Sequence, residues 1–374
     1  MRTSFKRTSA FAAPFIFFIA LVLMAPASAS EVVKVTGEGN KVLLLDDGSV
    51  ITWKNAKDGL VKVKLPAKAV DIASGARQYA VLEDGSLYSW DVQNNEAASQ
   101  FLAVKDVKNI QVAGATVLVL LRDGQVMAWG PRGSGLIGDG LHPKRYLEDG
   151  PPAKNPVLVP NVSRVIQLSV GYSHALALTE DHRVLAWGSN FYGALGREPR
   201  RELPIDSAEE IPGLGDVVAV VAGNGVSSAL KKDGTVWVWG ANWHAQFGNG
   251  DRTDPPGVGY GYVLTPQQVK GINNVTHLTL GLAGRHTMVL LKDGSLRAWG
   301  NTDWGQIGAG VSGTFQEKPV TPKINNIKSV FAVGNNTFAV KKDGSFWAWG
   351  SGDRGSWPFT KNTKIPEKIE IPSN

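Results

Sequence analysis

The chain has 374 residues, 43% of them hydrophobic, with 39 Lys and Arg against 33 Asp and Glu and no cysteine. The absence of cysteine excludes a disulfide framework and any thiolate nucleophile or metal ligand, so a hydrophobic core must carry the stability. Residues 1–30 hold Arg2, Lys6 and Arg7 and no acidic side chain, so the rest of the chain has 36 basic against 33 acidic residues, without the concentrated basic face of a nucleic-acid-binding domain.

In chain order, residues 1–29 read as a secretory leader. The basic "MRTSFKR" precedes an apolar run from Ala10 to Met24, and Ala27-Ser28-Ala29 forms a small-residue cleavage site. The run is shorter than the ~20 residues a membrane span needs, which disfavours the competing reading of a retained anchor. The protein is therefore expected to be exported, periplasmic or extracellular, with no membrane span after cleavage.

Residues 30–374 are organised by a repeat. The register Asp-Gly-x-apolar-x-x-Trp begins at Asp47, Asp84, Asp123, Asp181, Asp233, Asp293 and Asp343 and ends on Trp53, Trp90, Trp129, Trp187, Trp239, Trp299 and Trp349. Apolar β-rich segments flank each Asp-Gly, a preferred hairpin turn because both positions tolerate positive φ. Hairpins are expected near 42–53, 79–90, 118–129, 176–187, 228–239, 288–299 and 338–349. A further β-rich stretch ending in Gly precedes each hairpin, as in "VIQLSVG" and "DVVAVVAG", and no segment keeps a helical period. Seven helix-free units of three or four short strands predict one all-β domain, a seven-bladed β-propeller of four-stranded antiparallel blades. The C-terminal "KIPEKIEI" matches a phrase seen between units, and "EVVKVTGEGN" matches the segment that comes next in those units. Strands from both termini are therefore expected to close the ring by completing the last blade. His182 replaces the turn glycine in the fourth copy, where a strained turn explains it better than a metal or catalytic role.

Beyond each Trp-Gly lies a second phrase: "GSNFYGALG" (188–196), "GANWHAQFG" (240–248), "GNTDWGQIG" (300–308), and more loosely "GPRGSGLIG" (130–138) and "GSGDRGSWP" (350–358). Before the hairpins, "VGYSHALAL" and "AGRHTMVL" place His174 and His286 seven residues ahead of the turn Asp. Together these phrases resemble the regulator of chromosome condensation repeat family, whose unit runs roughly Gly-x-x-His-x-x-Ala-Leu…Asp-Gly-x-Val-x-x-Trp-Gly-x-Asn-x-x-Gly-Gln-Leu-Gly. The resemblance covers nearly all of residues 30–374, is strong in copies four to six and weakest in copies one and two. It implies a seven-bladed propeller, makes His174 and His286 framework residues, and implies interaction more often than catalysis.

Motifs of chemistry are sparse. "GSGLIG", Gly133 to Gly138, fits a dinucleotide glycine loop in spacing alone, without the strand, helix and βαβ unit that loop needs. His142, His174, His182, His244, His277 and His286 show no metal-ligand spacing, and no cofactor is expected. The seven repeat tryptophans are expected to pack between blades, and Trp237 and Trp347, two residues earlier on the same strand face, are expected to be structural. Trp243, Trp304 and Trp357 fall after the hairpins, where tryptophan can anchor a partner. Three variable connectors add Lys144, Arg145 and Tyr146; Arg200 and Arg201; and Arg252 and Tyr260. The expected function is that of an exported, non-catalytic, monomeric propeller presenting these loops to a protein partner. A glycan-acting lyase or hydrolase with its site at the propeller mouth is the alternative, and guanine nucleotide exchange the least favoured. No nucleic-acid partner is expected.

Overall fold

The computed structural model describes residues 30–371 apart from 38–39, 56–58, 92–96, 142–150, 200–203, 251–261, 282–284, 312 and 353–358. The leader and the candidates Lys144, Arg145, Tyr146, Arg200, Arg201, Arg252, Tyr260 and Trp357 lie outside the described residues. Twenty-eight strands form seven four-stranded antiparallel sheets, each built from consecutive strands. In chain order the blades are β1–β4 (Val32–Lys62), β5–β8 (Ala69–Gln100), β9–β12 (Val107–Leu158), β13–β16 (Val165–Glu210), β17–β20 (Val217–Gln268), β21–β24 (Val275–Val320) and β25–β28 (Ile327–Lys368). First strands of neighbouring blades touch all the way round, from β1 through β5, β9, β13, β17, β21 and β25 back to β1, which makes the molecule a seven-bladed β-propeller.

The ring closes where strands from the two termini meet, but not within one sheet. β1 pairs with β2, and β28 (Thr363–Lys368) with β27 (Phe346–Gly350), so the seam falls between blades. Val32, Val35 and Leu43 share one apolar cluster with Phe338, Val340 and Phe346 across it. The last blade is therefore not completed by strands from both termini: the C-terminal phrase supplies its outer strand and the N-terminal phrase the first strand of the first blade. Outer strands carry Pro156, Pro266, Pro319 and Pro366, and proline on an exposed sheet edge blocks pairing with another chain.

The second and third strands of each blade are the Asp-Gly hairpins. Turn glycines take positive φ, Gly344 at 81° and Gly294 at 82°, while the aspartate of every Asp-Gly turn accepts the amide of the residue two positions on, at 2.9 Å for Asp343–Ser345 and 2.8 Å for Asp293–Ser295. In the fourth copy the Arg183 amide donates to Thr179 Oγ1 instead, at 3.2 Å. His182 adopts the same left-handed backbone, φ 63°, and its Nδ1 donates to the Val217 carbonyl of the next blade at 2.9 Å.

Side chains of one inner strand bond the backbone of the next. Asp71 of β5 pairs with Lys34 of β1 at 2.5 Å and accepts the amide of Ile110 of β9 at 2.9 Å. Gln167 of β13 donates to the Val220 carbonyl (3.1 Å) and accepts the Val220 amide (2.9 Å). These contacts occupy polar groups of the channel-facing strand edges.

Candidate functional site

First and third strands of a blade run parallel, because each pairs antiparallel with the second. Their C-terminal ends therefore share one face, and the connectors 131–152, 189–204, 242–261, 302–314 and 351–362 leave from it. The central channel opens on this face as a cavity of about 190 Å³, lined by all seven first strands or the glycines after them, with Thr36, Ser74, Gln111, Ser169, Val221 and Ala332 among its walls. The Asp-Gly turns occupy the opposite face.

Each well-formed connector opens as a plug in the junction with the next blade. The carbonyls of Leu136, Ala194, Gln246 and Gln306 accept the indole N–H of Trp187, Trp239, Trp299 and Trp349 at 2.9, 2.8, 2.7 and 2.8 Å. The next residues, Ile137, Leu195, Phe247 and Ile307, are buried. After them come glycines at positive φ; Gly138, Gly248 and Gly308 lie against Trp187, Trp299 and Trp349, with no space for a Cβ. "GSGLIG" is therefore the plug of the third blade. The repeat tryptophans pack between blades as expected; Trp187, Trp239, Trp299 and Trp349 are wholly buried, while Trp53 is half-buried. Trp237 and Trp347 are also half-buried, with Lys231 and Lys341 ammonium groups 4.5 and 5.5 Å from their ring centroids.

The two framework histidines complete this arrangement. Ser227 Oγ donates its single proton to the Ala194 carbonyl at 2.7 Å, so it accepts from His174 Nε2–H at 2.9 Å. Thr337 likewise donates to the Gln306 carbonyl (2.9 Å) and meets His286 Nε2 (2.8 Å). Full burial lowers the His174 pKa to about 4 and keeps the ring neutral.

The first blade lacks the plug, since only residues 56–58 separate β3 (Val50–Asn55) from β4 (Gly59–Lys62). Trp90 of the next blade is accordingly buried with its Nε1 unpaired among the described residues. Trp239→Phe removes a buried hydrogen bond while the Ala194 carbonyl keeps the Ser227 hydroxyl, a loss of about 1 kcal/mol beyond the change in volume, whereas Trp90→Phe removes no hydrogen bond seen among the described residues. Urea titration of the two variants should separate them by about 1 kcal/mol.

Of the tryptophans proposed as anchors, two are described, and both lie on the channel-mouth face. Trp243 is half-buried in a run of rings crossing three blades. Phe191 meets Tyr192 (centroids 4.7 Å), Tyr192 meets Trp243 (4.3 Å, edge-on), Trp243 meets His244 (6.3 Å), and His244 meets Phe315 (5.7 Å). Trp304 is half-buried at the register of His244, and the backbone N–H of each donates to a glutamine side chain two residues on, Gln306 or Gln246. Phe191, Tyr192, His244 and Phe315 were not singled out from sequence. Aligning the phrases of copies four to six places Phe191 with Trp243 and Tyr192 with His244 and Trp304, a coincidence of aromatic rings that marks the band. Among the described residues, no group of three or more His, Asp or Glu converges to hold a metal, and no helix is long and apolar enough to cross a membrane.

A family model described as RCC1-like domain matches residues 20–373. Human E3 ubiquitin-protein ligase HERC2 is 28% identical over 271 residues, covering 67% of this chain and 5% of that protein. The ultraviolet-B receptor UVR8 of Arabidopsis thaliana is 26% identical over 261 residues, covering 66% and 56%. The chain thus spans a small part of HERC2 and little over half of UVR8. Among solved structures, yeast RCC1 (Prp20) bound by Kap60 superposes with a TM-score of 0.66 at 23% identity, covering 80% of this chain and 74% of that one. Prp20p of Saccharomyces cerevisiae, described with its binding to Gsp1p and histones, gives 0.65 at 24% identity, covering 80% and 76%. Both likenesses show the fold, and both of those structures concern protein binding.

Proposed function

The chain belongs to the RCC1-like domain family, and from that premise we propose that it is an exported, non-catalytic interaction propeller that engages a protein partner through its channel-mouth face. The observation that carries this reading is the half-buried aromatic band from Phe191 through Trp243 to Phe315, laid across three blades beside the long connectors. Half-buried rings held edge to face present large apolar area with few rotors to freeze, which is what an interface anchor needs. The connectors that hold Lys144, Arg145, Tyr146, Arg200, Arg201, Arg252, Tyr260 and Trp357 begin and end on the same face and would form the polar rim. The leader-like residues 1–29 support export.

The test is quantitative capture of the partner from the envelope and medium of the exporting cell. Trp243→Ala and Tyr192→Ala should each weaken capture at least about tenfold. Lys232→Ala, beside an exposed hairpin turn on the opposite face, should leave it unchanged. Equal capture by all three variants would overturn the assignment, and turnover of a glycan by the purified protein would favour an enzyme.

A further inference from the structure

The described chain starts at the seam of the ring. Ser30 Oγ donates to Asp47 Oδ2 at 3.0 Å, the Glu31 amide donates to Asp46 Oδ1 at 3.0 Å, and the Asp46 amide returns to the Glu31 carbonyl at 2.9 Å. The Glu31 carboxylate reaches across the seam to pair with Lys328 of β25. It also lies against the hairpin turn of the seventh blade, where a Cβ on Gly344 would meet Glu31 Oε1 at 3.1 Å. Ser30 and Glu31 line a cavity of about 350 Å³ together with Asp343, Phe346, Lys368 and Ile371. Of the two residues after the small-residue motif Ala27-Ser28-Ala29, Ser30 is thus tied to the hairpin turn of its own blade and Glu31 holds the first blade to the last.

We propose that the Ala29–Ser30 peptide bond is the processing site, and that the amine released there clasps the start of β1 to the hairpin turn of the first blade, beside the ring seam, by pairing with the Asp46 and Asp47 carboxylates. The proposal rests on the export reading above and adds a structural consequence of cleavage. A leader peptidase adds water across the amide, leaving a carboxylate on Ala29 and an α-amine on Ser30, protonated at neutral pH. That nitrogen belongs to the same residue as the Oγ already held by Asp47, so the new charge arises beside two carboxylates with no rearrangement of the fold. In the precursor the same nitrogen is a neutral amide. The amide of Ser49 foremost, and the hydroxyl of Ser30, hold the Asp47 carboxyl below the usual carboxylate range, so the acceptor is ionised wherever the amine is charged. The other charges facing the amine are Lys62 of β4, Glu31 beside it, Lys328 of β25, Asp343 at the β26–β27 turn, and Lys368 and Glu370 at the chain end.

An amine stabilised as ammonium has its folded pKa raised, so its contribution is complete below the unfolded value near pH 8 and is lost as pH rises through the folded value. Two measurements test the proposal. The mass of the exported protein should fix its first residue as Ser30; a start elsewhere overturns the processing site. Thermal unfolding should then compare the Ser30 form with one that keeps Ala27-Ser28-Ala29 attached. At about pH 6.5 the Ser30 form should melt about 2–3 °C higher, and the gap should close by about pH 10 and in the Asp46→Asn/Asp47→Asn double variant. Equal melting in mild acid, or a gap that survives alkaline pH or the double variant, overturns the clasp. Neither readout involves partner capture, so failure here is distinct from failure of the interaction face.

Discussion

Gly308→Ala is expected to destabilise the protein by about 2–5 kcal/mol. Gly308 takes φ +74°, and a Cβ there would stand 2.5 Å from Trp349 Nε1 and 2.8 Å from Cε2, inside the contact distance of a ring that is wholly buried. Two costs combine. A non-glycine residue in the left-handed region costs about 1–2 kcal/mol, and forcing a methyl into a filled junction costs about 1–3 kcal/mol more. The tryptophan cannot retreat without losing its bond to the Gln306 carbonyl. Gly271 separates the two costs, since it has nearly the same φ, +75°, with nothing within 4 Å of where a methyl would stand. Gly271→Ala should therefore lose only the backbone contribution. Urea unfolding of both variants measures the difference, and equal losses would mean that the plug does not press on the tryptophan.

Acid should weaken the ring through His174. Its pKa is about 4 in the fold against 6.5 for the ordinary side chain, because the charged ring would be wholly buried. The unfolded chain therefore takes up a proton before the native state does. Stability is complete above pH 6.5 and declines as pH falls toward 4, by up to about 3 kcal/mol at about 1.36 kcal/mol per unit. Gln at this position keeps a donor for Ser227 Oγ and does not titrate. Measured by urea unfolding at fixed ionic strength, His174→Gln should make the stability profile shallower across that interval, leaving the part carried by His277, whose pKa burial also lowers. Lowered hairpin carboxylates such as Asp343 and Asp233 respond at still lower pH, so their loss falls outside this window. An unchanged acid slope in the variant would contradict the assignment.

The fold was legible because one short string carries several local instructions that agree. Asp343-Gly344 specifies a turn only glycine enters freely, and Trp349 specifies the depth at which the next junction is filled; seven such strings fix the blade number. The position of the seam was less legible. "TKIPEK" and "EVVKV" are both β-rich, and nothing local says whether they share a sheet; that depends on β1 pairing with β2 (Val42–Leu45) in the first blade while β28 pairs with β27 in the last. Sequence picked out Trp243 and Trp304 as lying outside the repeat but missed Tyr192, His244 and Phe315. Their contacts join separate blades: Tyr192 and Trp243, or His244 and Phe315, are remote in the chain and become neighbours only once the ring has formed. The glycine at the end of each plug was legible as a repeat position, while its purpose, a flat contact with the next indole, became visible only in three dimensions.

A partner seated on the channel-mouth face would lie over the aromatic band. The most direct test is site-specific photocrosslinking in the cell that makes the protein, with the photoreactive side chain replacing Trp243 or, on the hairpin-turn face, Lys232. A discrete protein adduct from the Trp243 position and none from the Lys232 position is the result predicted. An adduct formed only from the Lys232 position would place the partner on the opposite face and contradict it.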